Sequence, residues 1–225
     1  MGTGRVGSRD LAVRRKLAAW LTLVGVVSTL GYAGRFAGGR PPKDVVYRYS
    51  TAVSELILFA VILVLVLWIA RGLPKREAFA LRRPRSWRRA AGLGLLIAIW
   101  IVSRALDPVL HPAREQGLAP STWEGAHAAA FALNVFALAV VGPVVEELAF
   151  RGLGFTLLQP YGQLAAVIAV GVAFALWHGL IEALPVLFVF GAGLAYLRSR
   201  TGSIYPCVAL HGLFNGIALA IAVTV

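Results

Sequence analysis

The sequence predicts an all-α protein, a polytopic membrane bundle of about seven spanning helices. Three observations carry that prediction. Of the 225 residues, 59% are hydrophobic and only 14% are charged, whereas a soluble domain has about 45–50% apolar residues. Mean hydropathy is +0.77. The apolar residues are gathered into long runs, and a run of about 18 or more with few charges is a candidate span.

The elements follow in chain order. A basic tail, residues 1–16, leads into a first span at about 17–34. Its basic start and apolar core resemble a signal peptide. The apolar run is long for one, and no small-x-small cleavage site follows it, so it reads as an uncleaved anchor. "MGTGRV" lacks the Ser/Thr of a myristoylation signal. The second span is about 52–70 and the third about 90–110, followed by the polar loop "HPAREQGLAPSTWEG". Residues 126–158 form one mostly apolar stretch interrupted by Gly142-Pro143, a pair expected to kink a membrane helix or split it, which would make eight helices. Spans at about 162–180, 184–198 and 204–225 complete the bundle, separated by the polar turns "QPYGQ" and "RSRTGS". Three parts are expected: the tail 1–16, N-terminal helices and loops over 17–125, and a core over 126–225.

Net charge is +12. Eight of the 22 basic residues lie between Arg71 and Arg89, and five lie in the first sixteen positions. Both clusters abut apolar runs, as cytoplasmic flanks of membrane helices do. Anionic lipid headgroups are their natural partner. No RNA- or DNA-binding motif accompanies the charge, so nucleic acid is not expected as a partner. The Lys/Arg distribution places the N-terminus in the cytoplasm and the C-terminus outside. The single cysteine, Cys207, excludes an internal disulfide framework and a cysteine-rich metal site.

"VVEELAFRG", residues 144–152, puts three charges into this apolar chain. A charge at a helix centre costs about 2.5–3.5 kcal/mol to insert. Glu147 and Arg151 are i,i+4 and can bridge on one helix face. Glu146 is turned about 100° away from Glu147 and has no partner in the local sequence. An unpaired carboxylate is the one free to act as a general base. Later spans supply polar partners: Phe174 and His178 in "FALWH", and His211 and Asn215, again i,i+4, in "HGLFN". Each alone has a bland reading, the histidines as interfacial or packing residues and Asn215 as helix–helix glue. Together they place a base, imidazoles and hydrogen-bond donors within the last eighty residues. His111 and His127 flank the polar loop and read as ordinary.

"EELAFR", "FALWH" and "HGLFN" resemble the EExxxR, FxxxH and HxxxN/D signatures of the CPBP family, in the same order and spacing. These are intramembrane proteases related to CAAX prenyl endopeptidases and to bacterial bacteriocin-immunity (Abi) proteins. The resemblance covers roughly residues 126–225; the first 125 residues match only in being apolar and spanning. It implies a glutamate-dependent endopeptidase. Glu146 would activate the attacking water with His178 assisting. His211 and Asn215 would stabilise the oxyanion. Glu147 and Arg151 would order the helix, and Phe174 would line the site. No cofactor is then expected.

The alternative is a zinc protease with Glu146, His178 and His211 as ligands. The absence of HExxH, whose histidines share one helix face, favours the metal-free route. A non-catalytic scaffold or immunity protein is opposed by the intact residue set. A proton-coupled transporter is opposed by the lack of an internal repeat. The expected partners are membrane lipid and a peptide or membrane-protein substrate, in a bacterial plasma membrane. Substrate identity and oligomeric state are not encoded in these patterns.

Overall fold

The computed structural model describes residues 3–38, 42, 44–85, 115 and 122–224. Among these residues the chain is helical and contains no strand. α1 spans Thr3–Gly38, α2 Tyr49–Ile69 and the short α3 Lys75–Ala78. The long α4 runs Gly125–Tyr161. α5 spans Gln163–Trp177, α6 Leu184–Thr201 and α7 Tyr205–Ala222. Four of these are long and apolar enough to cross a membrane: α1 from Leu11, α2, α4 and α7. α5, at 15 residues, is about 22 Å long, short of a hydrocarbon core of about 30 Å. The third span expected at 90–110 lies outside the described residues.

α4 does not split at Gly142-Pro143. It continues as one helix, with π-helical turns at Phe136–Val141 and Leu148–Gly154 on either side of an α turn, Gly142–Glu147. Pro143 has no N–H to give the preceding turn. Widening that turn to the π register is a local way to absorb the misfit without breaking the helix.

Among the described residues the larger of two apolar clusters is shared by all the long helices, and a smaller one joins Val46 and Tyr47 to Leu219 and Val223. Trp20 and Val24 of α1, Phe59, Ile62 and Val66 of α2, Phe150 and Leu153 of α4, Phe174 of α5, Leu194 of α6 and Cys207 of α7 belong to the larger. Small residues let helices approach closely. Gly171 of α5 meets Ala192 of α6, and Gly191 of α6 meets the Gly171 carbonyl and Phe174. Gly154 of α4 leaves room for the Trp20 indole and nothing else.

The basic segments collect at one end of the bundle. Lys16 Nζ donates to the carbonyls of Ile69 and Arg71 at 2.8 and 2.6 Å, capping α2. The chain after α3 docks on the α6–α7 turn, with the Arg85 N–H on the Thr201 carbonyl at 3.0 Å. At the other end, buried Asn134 of α4 ties down the start of α2 by donating to the Val46 and Arg48 carbonyls at 3.1 and 3.0 Å.

The turn between α5 and α6 is held by α1. Gly179 has φ +63°, and a Cβ there would lie 2.7 Å from the Gly31 carbonyl carbon. Tyr32 Oη donates to the Leu180 carbonyl at 3.2 Å. The buried Glu115 carboxylate accepts from the N–H groups of Ile181 and Ala183 at 2.7 and 3.0 Å, and Arg35 sits 3.4 Å from it. Gly72 also has positive φ, +77°, but in open space. Both Gly→Ala changes therefore incur the left-handed strain, of about 1–3 kcal/mol. Gly179→Ala adds a backbone clash, typically a further 1–3 kcal/mol or so. Thermal melts in detergent should show Gly179→Ala well below Gly72→Ala; equal midpoints would contradict this packing.

Candidate active site

The α turn carrying Glu146 and Glu147 is anchored through carbonyls on both sides of it. Where a helix passes between α and π registers, a carbonyl loses its usual donor and needs another. Asn215 Nδ2 of α7 donates to the Leu138 carbonyl at 2.8 Å. That oxygen lies five residues before Pro143, so in the π register its donor would be the N–H that proline lacks. On the far side, Trp20 Nε1 donates to the Ala149 carbonyl at 2.9 Å, and Arg198 Nε to the Arg151 carbonyl at 3.1 Å. Three helices thus hold α4 in the register that sets the two carboxylates.

Glu147 and Arg151 are both completely buried and bridge at 2.7 Å, as their i,i+4 spacing implies. The sequence reading stopped at that pair. The structure adds His211, whose Nδ1 lies 2.9 Å from the same carboxylate oxygen, Oε1. Arg151 further donates through Nη2 to the Gly191 carbonyl at 3.0 Å, and its guanidinium lies 4.3 Å from the Phe174 ring centroid. Glu147 therefore does more than order its own helix. It joins α4 to α7 directly and to α6 through Arg151.

Glu146, without a partner in sequence, finds one in space. Its Oε2 lies 3.6 Å from Nε2 of His211. The gap exceeds a direct hydrogen bond. His211 is thus placed between the two glutamates, Nδ1 toward Glu147 and Nε2 toward Glu146. Glu146 is 8% exposed and Glu147 fully enclosed, so only the former reaches the surface of the site.

His178 closes α5. Its Nδ1 lies 2.7 Å from the Phe174 carbonyl. A carbonyl only accepts, so Nδ1 carries a proton, and in the neutral ring Nε2 then keeps its lone pair. His178 is within electrostatic reach of Glu146, His211 and Arg151. Phe174, fully buried, packs against both imidazoles, with ring centroids 4.6 Å from His178 and 5.7 Å from His211. The structure thus assembles Glu146, Glu147, Arg151, Phe174, His178 and His211 on α4, α5 and α7. Asn215 sits one turn beyond His211, with one N–H given to Leu138.

Three participants escaped the sequence reading. Trp20 and Arg198 act on carbonyls, which sequence patterns do not reveal. Glu55 of α2 lies within electrostatic reach of Glu146, and here a signal existed: a carboxylate inside an apolar span is a functional candidate by default.

One feature of the assembled residues fits a zinc site and one does not. Each imidazole has Nδ1 against an oxygen acceptor, as metal-bound histidines do. Among the described residues, however, no three His, Cys, Asp or Glu side chains come together as a ligand set.

The family described as type II CAAX prenyl endopeptidase Rce1-like matches residues 128–217. Over this segment, 90 of the 225 residues, the chain is similar to the CAAX protease family. The match begins in the first turns of α4 and ends in α7, so it contains every residue of the constellation and leaves α1, α2 and Glu55 outside. The family implies a protease. No curated protein and no solved structure matches the chain.

Glu147→Ala would leave the Arg151 guanidinium without its carboxylate and His211 without its acceptor. Removing one partner of a buried pair costs about 3–5 kcal/mol. The variant should show a markedly lower melting midpoint and yield in detergent. Wild-type stability would contradict the role of Glu147 as the shared anchor.

Proposed function

We propose that the protein is an intramembrane endopeptidase that hydrolyses peptide bonds of a membrane-associated peptide or protein with water activated by Glu146. The observation that carries this reading is the placement of His211. Its Nδ1 is anchored by Glu147 and its Nε2 lies 3.6 Å from Glu146 Oε2, close enough for one reacting group to one side to bond both.

Glu146 takes a proton from water as the oxygen attacks the scissile carbonyl carbon. The Nε2 lone pair of His178 accepts the second water hydrogen and so orients the nucleophile. The carbonyl π electrons move onto oxygen, and this oxyanion is met by His211 Nε2–H and the second N–H of Asn215. To donate there while also donating to Glu147, His211 carries protons on both nitrogens. Charges then balance: Glu146 and Glu147 against Arg151 and His211. Collapse breaks the C–N bond, and the proton on Glu146 passes to the leaving amine.

The setting is a membrane with the basic end of the bundle on the cytoplasmic side, as in a bacterial plasma membrane. A zinc reading is favoured by one observation, the oxygen-held Nδ1 of both histidines. It needs Glu146, His178 and His211 to converge as ligands.

Glu146→Gln keeps shape but removes the proton acceptor. Cleavage of a peptide library by purified protein should fall about a hundredfold or more, with the melting midpoint retained; wild-type rates would sink the mechanism. Asn215→Ala should lower kcat by about 10²–10³. Extensive chelation should leave wild-type activity intact. Stoichiometric zinc whose removal abolishes cleavage, with activity restored by adding it back, would establish the metal route instead.

A further inference from the structure

α6 ends in a C-terminal turn closed by Gly202, which has φ +72°. Two arginines, Arg82 and Arg85, meet there, and a third, Arg198, lies one turn earlier. Arg82 Nε donates to the Gly202 carbonyl at 2.7 Å. The Arg85 backbone N–H donates to the Thr201 carbonyl, and its side chain turns back over the same glycine. Arg82 Nη2 and Arg85 Nε lie 3.9 and 3.6 Å from the point where a side chain at 202 would begin. Arg198, one turn earlier on α6, is 4% exposed and lies over the Phe155 ring at 5.2 Å. Arg82 and Arg85 are close enough to Arg198 for their charges to repel it.

No carboxylate among the described residues pairs with any of the three. The Gly202 and Arg151 carbonyls each occupy one Nε, and among the described residues no further acceptor meets the terminal nitrogens of Arg82 and Arg198. Arg82 and Arg198 are each fixed on a backbone carbonyl, Arg85 is tethered by its own backbone N–H, and no counter-ion for the three lies among the described residues. Planar guanidinium forks match phosphate oxygens. The cluster lies at the end of the bundle where α2 ends and Lys16 caps it. This is where a headgroup layer meets the helices.

We infer that Arg82, Arg85 and Arg198 hold the phosphate of an anionic phospholipid in the cradle above Gly202. The chemistry required is a phosphate monoanion or diester; its position at the helix ends assigns it to a lipid rather than to free phosphate. The proposal is independent of the protease reading. Because Arg198 also donates to the Arg151 carbonyl, an occupied cradle steadies the carbonyl end of the residue that pairs with Glu147.

The test uses the purified full chain in neutral detergent. Phosphatidylglycerol mixed into the micelles should raise the melting midpoint, and phosphatidylcholine should not. The shift should vanish in Arg82→Gln/Arg85→Gln and persist in Arg76→Gln/Arg83→Gln, which removes the same charge from exposed positions of the same segment. If both double variants lose it equally, the attraction is diffuse and the site is overturned. If inorganic phosphate at matched concentration reproduces the shift, the lipid assignment is overturned. Native mass spectrometry of wild type reads the site without substitution. Released from equimolar mixed micelles, the chain should retain phosphatidylglycerol over phosphatidylcholine by about tenfold. Equal retention would overturn the proposal even if the variants failed to fold.

Discussion

One carboxylate oxygen, Oε1 of Glu147, accepts from both Arg151 and His211 inside a fully enclosed site. A buried carboxylate is costly unless it is paired and hydrogen-bonded, so neither partner is free to leave. The consequence is geometric. Arg151 lies on the same helix, but His211 comes from α7, 64 residues away. Satisfying Glu147 therefore fixes where α7 sits against α4. Arg151, through the Gly191 carbonyl, does the same for α6. The charges that looked anomalous in an apolar chain pin the helices around them.

The second constraint is backbone hydrogen bonding in a medium without water. Each carbonyl displaced by the π turns of α4 must find a donor. Trp20, Arg198 and Asn215 supply them from three other helices. Stability and function meet here. The same register that leaves those carbonyls open rotates Glu146 toward His211 and keeps Glu147 enclosed. Asn215 illustrates the overlap: its amide stands in for the N–H missing at Pro143, and its second N–H is the one assigned to the oxyanion in the proposed mechanism.

What the sequence makes legible follows from what is local. The i,i+4 spacing of Glu147 and Arg151 gave their bridge, and that of His211 and Asn215 gave a shared face, because helix geometry alone sets both. The apolar runs gave the helices, and family motifs gave the identity of the core. Relations between helices were not legible. Nothing in "HGLFN" says that Nδ1 of His211 will meet Glu147 rather than Glu146, since that depends on axial offset between α4 and α7. Pro143 was expected to kink or split its helix; π turns absorbed it instead, an option that depends on outside donors for the freed carbonyls. Glu115, read as part of a polar loop, turned out to accept two N–H groups of the turn that follows His178.

The central claim is that His211, held between Glu146 and Glu147, is the donor in the proposed mechanism and so carries both ring protons. Its protonation state tests this most directly. Protein labelled with ¹⁵N in its four histidines, His111, His127, His178 and His211, can be assigned by single substitutions, and the ring nitrogen shifts read at neutral pH. A doubly protonated His211 beside a His178 protonated at Nδ1 alone is the expected result. A neutral His211 with a bare Nε2 would contradict the charge balance and leave the oxyanion without that donor.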